Sequence, residues 1–220
     1  MELMIKLVIF DCDGILIESE PLQNRAYRQA FKEIADFDIS EEDYALNVTC
    51  LGKKAVDYAD EFIKYNAEET KKAVRKRKTE IYEKLIDNEL EIVPGVENLI
   101  KDIKGKVPII VVSASRMDSV IKGISKFNLQ AYFDKIQSCV IDGVNYPKGE
   151  VLHKVIKEIG ASPEETVIIE DTPKGLKAAK EAGIMCIICR KPYSKGMDFS
   201  EADLVVDSIK ELNAEKVLKL

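Results

Sequence analysis

The sequence contains no long apolar run. No stretch of the 220 residues approaches the ~20 consecutive apolar residues that a membrane-spanning helix needs. The N-terminal stretch also lacks the small-residue cleavage site of a signal peptide. Because 46% of the residues are hydrophobic, the chain can still bury a sizeable core. We therefore expect a cytoplasmic protein with no membrane partner. Our working assumption for the oligomeric state, which composition does not determine, is a monomer or weak homo-oligomer.

An excess of positive charge is missing as well. The chain has 33 basic and 39 acidic residues, which gives a formal net charge of −6. This balance argues against nucleic acid or an anionic membrane surface as the main partner. It does not exclude an anionic substrate, because a bound divalent cation can reverse the sign of the charge locally.

Histidine and cysteine are scarce. The one histidine, His153, lies in a predicted helix between Leu152 and Lys154, where we expect a surface residue rather than a ligand. The five cysteines are expected to be reduced thiols. Cys186 and Cys189 form a C-x-x-C motif, but within a predicted strand their side chains face opposite sides. That arrangement is poor for a metal or a disulfide.

Short apolar runs alternate with helical patterns. We predict strands at residues 6–10, 107–112, 136–141, 166–169, 184–189 and 204–206. From residue 107 onward a single helix separates successive strands, a pattern typical of a parallel sheet with helices on both faces. The predicted fold class is α/β, with a Rossmann-like sheet domain formed by residues 1–17 and 90–220. Residues 18–89 have almost no strand signal and form an inserted all-helical domain.

Local signals set the expected ends of several elements. Ser19 and Ser40 are expected to be N-caps of helices, since a serine precedes a proline-containing or acidic first turn in each case. Residues 53–65 and 67–86 are predicted helices, and residues 142–149 a polar loop before a helix at 150–159. A closing helix is predicted at 208–220.

Polar side chains follow three of the predicted strands. They are Asp11 and Asp13, Ser113 and Ser115, and Glu170 and Asp171. Taken alone, the first pair could be a strand-end turn in which both aspartates bond to the backbone. Because ligands bind outside the carboxyl ends of parallel strands, three such clusters indicate one functional site.

These residue types can carry out phosphoryl transfer. Converging carboxylates form a hard oxygen site that suits Mg²⁺. One N-terminal aspartate can attack phosphorus, and the other can protonate the leaving oxygen and then activate water. Ser113, with the adjacent backbone N–H groups around Ala114, can hold the transferring phosphoryl group, and Lys148 can neutralise its remaining charge.

The motifs VIFDCDG, VVSAS and VIIEDTPKG, in this order, resemble those of the haloacid dehalogenase superfamily. The branch it resembles contains the helical-cap phosphatases and the β-phosphoglucomutases. The resemblance implies that Asp11 is the nucleophile and Asp13 the general acid/base. It also implies a Mg²⁺ ion held by Asp11, the backbone carbonyl of Asp13 and Asp171, with Glu170 close by or acting through water. Residues 18–89 would be the helical cap.

Two positions depart from the family pattern. An ungapped count places Tyr146 where relatives carry the lysine of their third motif, but we favour Lys148 because the phosphoryl site needs a cation and Gly149 leaves room for it. Many relatives have a histidine where this chain has Gln23, which disfavours a mutase.

Substrate specificity is expected to lie in the cap. We assign Gln23, Gly52 and Lys53, with Lys54 as a neighbour, to substrate recognition by resemblance. The basic run at residues 71–78 is predicted to be a solvated helix face, although Lys78 could contact an anionic substrate.

The predicted function is a Mg²⁺-dependent phosphatase acting on a small phosphorylated metabolite, a sugar phosphate or similar compound, through a phospho-aspartate. A β-phosphoglucomutase-type phosphotransferase is the nearest alternative. A phospho-acceptor signalling domain would combine similar residues, but such domains lack a helical lid. A binding module without turnover is the remaining alternative.

Overall fold

A computed structural model describes residues 4–58 and 67–220. Within these residues the strands are β1 (Leu7–Phe10), β2 (Ile109–Arg116), β3 (Lys135–Ile141), β4 (Val144–Asn145), β5 (Thr166–Glu170), β6 (Met185–Cys189) and β7 (Leu204–Val206). The α-helices are α1 (Glu20–Ala35), α2 (Glu41–Tyr44), α3 (Ala55–Tyr58), α4 (Ala67–Glu89), α5 (Val96–Ile103), α6 (Met117–Ser125), α7 (Lys148–Ile159), α8 (Pro173–Glu181) and α9 (Ala214–Leu218). A π-helical turn, Ala45–Cys50, follows α2 directly.

The strands form one sheet in the order β4-β3-β2-β1-β5-β6-β7. All neighbouring strands are parallel except β3 and β4. β1 lies at the centre, where Phe10 pairs with Val111 of β2 and with Ile169 of β5. The carboxyl ends of these three strands therefore meet at one edge of the sheet. This arrangement confirms the predicted α/β class.

The apolar composition of the strands reflects burial on both faces. All residues of β1 and β5 are buried, as expected for central parallel strands covered by helices on each side. On one face, Leu7, Ile9 and Ile168 belong to a buried cluster that also contains Leu152 of α7 and Leu176 of α8. Packing of α7 and α8 on this face fixes the positions at which both helices begin, next to the carboxyl edge of the strands.

The chain divides into two compact units. The core unit contains the described residues up to Ile17, Ile92–Lys191 and Gly196–Leu220, and the helical unit contains Glu18–Glu91 and Pro192–Lys195. Within the helical unit α1 packs along α4, and the Arg25 guanidinium forms a two-bond ion pair with the Glu89 carboxylate. Pro192–Lys195 falls within the predicted core domain of residues 90–220 but clusters with the helical unit. The predicted helix at 53–65 falls partly outside the described residues.

The two predicted N-caps have different outcomes. Ser40 is a cap, because its backbone is extended and its hydroxyl accepts a hydrogen bond from Asp43 N at 3.0 Å. Ser19 occupies the predicted N-cap position of α1, but its side chain does not cap the helix. Its backbone is already helical, with φ −88° and ψ −25°, and its side chain makes no capping bond. A capping oxygen reaches the first amides only from an extended residue.

The predicted polar loop at 142–149 is wrong in its details. Ile141 pairs with Val144 in an antiparallel hairpin whose two connecting residues, Asp142 and Gly143, have φ of +50° and +78°. Positive φ at both positions is typical of the tight turns that Asp-Gly favours, so this signal was present in the sequence.

The ends of two other elements also differ from prediction. β2 continues to Arg116, beyond the expected end at residue 112, because its last residues still pair with β3. The closing helix is divided into a 3₁₀ turn, Ile209–Glu211, and the short α9. Asn213 caps α9 through its side-chain oxygen, which separates the two segments.

Candidate active site

Asp11 and Asp13 follow the carboxyl end of β1. Asp11 N donates to the Ile169 carbonyl at 3.0 Å, which continues the pairing with β5 by one residue. The chain then turns, with Gly14 at φ +78°, a backbone conformation that favours glycine. The Cys12 carbonyl accepts from Leu16 N at 2.9 Å and so closes this turn. The turn keeps both aspartates at the carboxyl edge of the central strand.

Lys148 joins two of the predicted site carboxylates. Its Nζ lies 2.5 Å from Asp11 Oδ1 and 2.6 Å from Glu170 Oε1. Lys148 is the first residue of α7 rather than a loop residue, so the hairpin before it and the packing of the helix determine its position. Tyr146, in contrast, is 44% exposed. Of the two candidates for the third motif, Lys148 is the one in contact with the site.

Gly149 does not have the role predicted for it. We expected it to give Lys148 room to move, but it lies buried in the first turn of α7. A Cβ at this position would lie 3.3 Å from the Ala178 carbonyl oxygen. The glycine therefore permits close packing of α7 against α8.

Glu170 is fixed by the residues that follow it. Its Oε2 accepts hydrogen bonds from Asp171 N at 2.9 Å, Thr172 N at 3.2 Å and Thr172 Oγ1 at 3.2 Å. Thr172 also caps α8 by accepting from Gly175 N at 3.0 Å. A Cβ on Gly175 would lie only 1.9 Å from the Glu170 carboxyl carbon. The first turn of α8 thus encloses this carboxylate and orients it toward Lys148.

Burial and mutual contact set the charges in the site. Burial raises the pKa of Asp11; Lys148 opposes this, while Glu170 and Asp13 add to it. Burial also acts against the ionised forms of Lys148 and Glu170, but the attraction of Lys148 to the Asp11 and Glu170 carboxylates outweighs it. The pKa of Lys148 is therefore raised, and that of Glu170 is lowered. The charged Lys148 compensates only part of the carboxylate charge, which leaves the site attractive to a further cation.

Three of the carboxylates could hold that cation. Oxygen atoms of Asp11, Glu170 and Asp171 lie within 4.8 Å of one another, and all three residues are buried. Hard oxygen donors and an excess of negative charge fit Mg²⁺. Asp11, Glu170 and Asp171 are therefore the described carboxylates that could ligate such an ion together. Both Glu170 oxygens already accept hydrogen bonds from Lys148 or from the start of α8.

The Asp13 carboxylate faces β2. Asp13 Oδ2 accepts from Ser115 Oγ at 2.7 Å and from Ser113 Oγ at 3.3 Å. Ser113 is fully buried, whereas Ala114 is exposed. The continuation of β2 through these residues places both hydroxyls on the side of Asp13.

The remaining predicted site residues belong to the helical unit. Gln23 lies on α1, and its Oε1 accepts from Lys78 Nζ at 3.1 Å. Gly52 has φ +67°, and the exposed Lys53 donates its backbone N–H to the Asn47 carbonyl at 3.0 Å. Lys54 is exposed as well.

The basic run on α4 is not a uniformly solvated face. Lys71 is buried, and its Nζ lies 3.5 Å from carboxylate oxygens of both Asp57 and Glu68. Lys78 Nζ lies 4.2 Å from the centre of the Tyr82 ring and 5.0 Å from that of Tyr27. The contacts with Glu68 and Tyr82 are local to α4, whereas those with Asp57 and Tyr27 depend on α3 and α1 packing against α4, which charge patterning alone did not predict.

Sequence reasoning did not assign a role to Thr172, Ser115 or Ser138. Ser115 was noted at the strand end, and period-two alternation from Ser113 is the signal that could have placed it beside Asp13. Thr172 precedes Pro173, a pattern that indicates an N-cap. Ser138, whose hydroxyl donates to the Ser115 carbonyl at 2.6 Å, had no local signal, because this contact depends on pairing between β2 and β3.

Residues 8–189 match the family model for haloacid dehalogenase-like hydrolases. The chain belongs to this family, and the enzyme class is therefore hydrolase. The phosphorylated carbohydrates phosphatase of Thermotoga maritima is 26% identical over 180 residues, which cover 80% of this chain and 81% of that protein.

Solved structures agree with this assignment. CbbY from Rhodobacter sphaeroides in complex with phosphate has a TM-score of 0.85 and 28% identity, and covers 99% of this chain and 100% of its own. A CbbY mutant in complex with xylulose-(1,5)bisphosphate gives a TM-score of 0.84 and 27% identity, with coverage of 99% and 100%. Among the described residues, no helix is both long and apolar enough to cross a membrane.

Proposed function

We propose that the protein is a Mg²⁺-dependent phosphatase that hydrolyses a small sugar phosphate through a phospho-aspartate on Asp11. The observation that carries the proposal is the buried contact of Lys148 with both Asp11 and Glu170, next to Asp171. A buried ammonium group beside an aspartate at a strand end can stabilise the oxygens of a transferring phosphoryl group. The phosphatase and CbbY relatives support the substrate class.

In the proposed first step, a carboxylate oxygen of Asp11 bonds to phosphorus. The bond from phosphorus to the leaving oxygen breaks, and Asp13 donates its proton to that oxygen. In the second step Asp13 takes a proton from water as the water oxygen bonds to phosphorus, and the bond between phosphorus and Asp11 breaks. Ser113 and Ala114 N–H would hold the phosphoryl oxygens, together with Lys148.

Asp11, the backbone carbonyl of Asp13 and Asp171 would hold the Mg²⁺ ion, with Glu170 in support. When bound, Mg²⁺ supplies positive charge that offsets the mutual repulsion of Asp11 and the phosphoryl group. Gln23, Gly52 and Lys53 remain our proposed substrate-recognition residues. The Lys78 ammonium group donates a hydrogen bond to Gln23. Because an ammonium group binds anions and hydroxyl oxygens, we expect this part of the helical unit to bind an anionic or hydroxyl-rich group of the substrate.

The direct test measures phosphate released from a panel of sugar monophosphates and bisphosphates in the presence of Mg²⁺. We expect turnover that stops in excess chelator and returns with Mg²⁺. Ca²⁺ should inhibit, because it prefers more ligands at longer distances and would draw both Asp11 oxygens onto the metal. Asp11→Asn should lower the rate by several orders of magnitude, since an amide does not attack phosphorus.

Asp87→Asn is a matched control, because Asp87 is exposed on α4 and the substitution makes the same chemical change there. Near wild-type turnover by Asp11→Asn would overturn the covalent mechanism, and full activity in chelator would overturn the metal assignment. Conversion of a sugar 1-phosphate to its isomer without phosphate release would favour the mutase alternative.

A further inference from the structure

Ser115 makes the shorter of two serine contacts to Asp13. The Ser115 hydroxyl donates to Asp13 Oδ2 at 2.7 Å, and the Ser113 hydroxyl donates to the same oxygen at 3.3 Å. Residues two apart on a strand share a face, so β2 presents both hydroxyls to one carboxylate oxygen. Hydrogen bonds from two fixed points to one atom restrict the orientation of the Asp13 side chain.

Ser115 is itself held in place from two sides. Its backbone N–H donates to Ser113 Oγ at 3.0 Å, and its carbonyl accepts from Ser138 Oγ at 2.6 Å. Ser138 is buried on β3, and its hydroxyl also accepts from Val140 N at 2.8 Å.

The contact from Ser138 lies at an irregularity in the sheet. The register of β2 on β3 shifts between Ser113 and Arg116. Such irregularities interrupt regular backbone pairing and can re-aim a side chain beside an active site. Here the Ser138 hydroxyl supplies a donor to the Ser115 carbonyl within the shifted segment. The backbone of Ser115 is therefore fixed by a side chain from the neighbouring strand.

We propose that Ser115 is a positioning residue for Asp13, and that Ser138 keeps Ser115 in the required position. The proposal rests on the function proposed above, in which Asp13 alternates between acid and base. A hydroxyl can donate to a carboxylate and accept from a carboxylic acid. One serine can therefore orient Asp13 both before and after it releases its proton.

The consequence is a dependence on the leaving group. An alkoxide is a poor leaving group and needs a well-placed proton donor, whereas p-nitrophenolate leaves readily without one. Ser115→Ala should lower kcat/KM for an alkyl phosphate by about tenfold or more, and for p-nitrophenyl phosphate by only about twofold. The value of kcat/KM is the appropriate readout because it includes the step in which the leaving group departs.

The experiment compares both substrates, with Mg²⁺, in the full-length wild-type enzyme and variants. Ser115→Thr retains the hydroxyl and should restore the wild-type ratio of the two kcat/KM values. Ser115→Cys keeps a side chain of similar size but replaces the hydroxyl with a thiol, which is a weak hydrogen-bond donor. It should therefore show the same selective loss of kcat/KM as Ser115→Ala. Ser138→Ala should reproduce the pattern in weaker form. Ser119→Ala, on α6 and outside this hydrogen-bonded set, is the matched control.

The outcomes separate the two proposals. A selective loss with the alkyl phosphate, restored by threonine, supports positioning of Asp13. The positioning role is overturned if Ser115→Ala lowers kcat/KM equally for both substrates. It is also overturned if neither Ser115→Ala nor Ser115→Cys lowers kcat/KM. Both results leave the phosphatase function intact. If the wild-type enzyme hydrolyses neither phosphate nor any sugar phosphate of the panel, the proposed function fails, and the role of Ser115 fails with it.

Discussion

Lys148 supplies the positive charge that offsets part of the carboxylate charge of the site. It contacts Asp11 and Glu170 at hydrogen-bonding distance, and all three groups are buried. A buried charge that loses its partner is strongly destabilising, because the desolvation cost is no longer offset. The carboxylates left without Lys148 would then depend more heavily on a bound cation.

We predict that Lys148→Met, which removes the ammonium group but keeps an unbranched side chain of similar size, lowers kcat/KM by about a hundredfold or more. It should also lower thermal stability in chelator, and Mg²⁺ should raise the unfolding temperature of this variant more than that of the wild type. Calorimetric scans with and without Mg²⁺ check the stability prediction independently of activity.

Tyr146→Phe is the comparison variant, and we expect its kcat/KM to stay within about threefold of wild type, because the exposed Tyr146 side chain lies at a surface-facing position. A larger effect of Tyr146→Phe than of Lys148→Met would show that the ungapped motif count had identified the functional residue.

At the level of elements, the start of α8 is the part of the site most sensitive to shape. The position of Gly175 allows the Glu170 carboxyl group to lie where a Cβ would otherwise be. We predict that Gly175→Ala displaces Glu170, loosens its contact with Lys148 and lowers kcat by at least about tenfold. Steady-state kinetics, with a crystal structure of the variant, provides the measurement.

Lys177→Ala is the control for that substitution, because Lys177 is exposed on the same helix and its replacement introduces no atom beside Glu170. Wild-type activity of Gly175→Ala would show that the Glu170 position is not required for turnover.

The elements differ in how far the sequence predicted them. β1 and β5 were predicted because burial on both faces requires an uninterrupted apolar run. The end of β2 was not predicted, because Ser113 and Ser115 are polar and this part of the strand is defined by its pairing with β3.

The same distinction applies within the site. Asp11, Asp13 and Asp171 were recognisable from their places after strands. The contact between Lys148 and Glu170 had no local signal, because residues 22 positions apart meet only after α7 and the sheet pack together. The need for a cation in a phosphoryl site indicated Lys148. Which carboxylates Lys148 contacts could be seen only in the folded structure.

For the whole molecule, the central prediction is that the helical unit moves relative to the core unit when substrate binds. The chain passes between the two units at four points, which are Ile17/Glu18, Glu91/Ile92, Lys191/Pro192 and Lys195/Gly196. Hinge motions are absorbed by a few residues at such crossings. A phosphate mimic such as beryllium fluoride, added with Mg²⁺, should therefore slow amide hydrogen exchange at these crossings and around Gly52.

Amides in the centre of β5 serve as the internal reference, because they are buried and paired with β1 and β6 in the core unit. The same exchange rates at the crossings with and without the mimic would mean that the helical unit is static, so that its fixed shape alone selects the substrate.

The Pro192–Lys195 segment has a consequence for attempts to exchange specificity between relatives. It belongs to the helical unit although it follows β6 in the chain, and the Tyr193 carbonyl accepts a hydrogen bond from Cys50 Sγ at 3.1 Å. A chimaera that replaces only the residues inserted after β1 would leave this segment packed against residues from another protein. A helical unit transplanted into this core therefore has to be transferred as two segments, the long insertion and the short Pro192–Lys195 segment more than a hundred residues downstream.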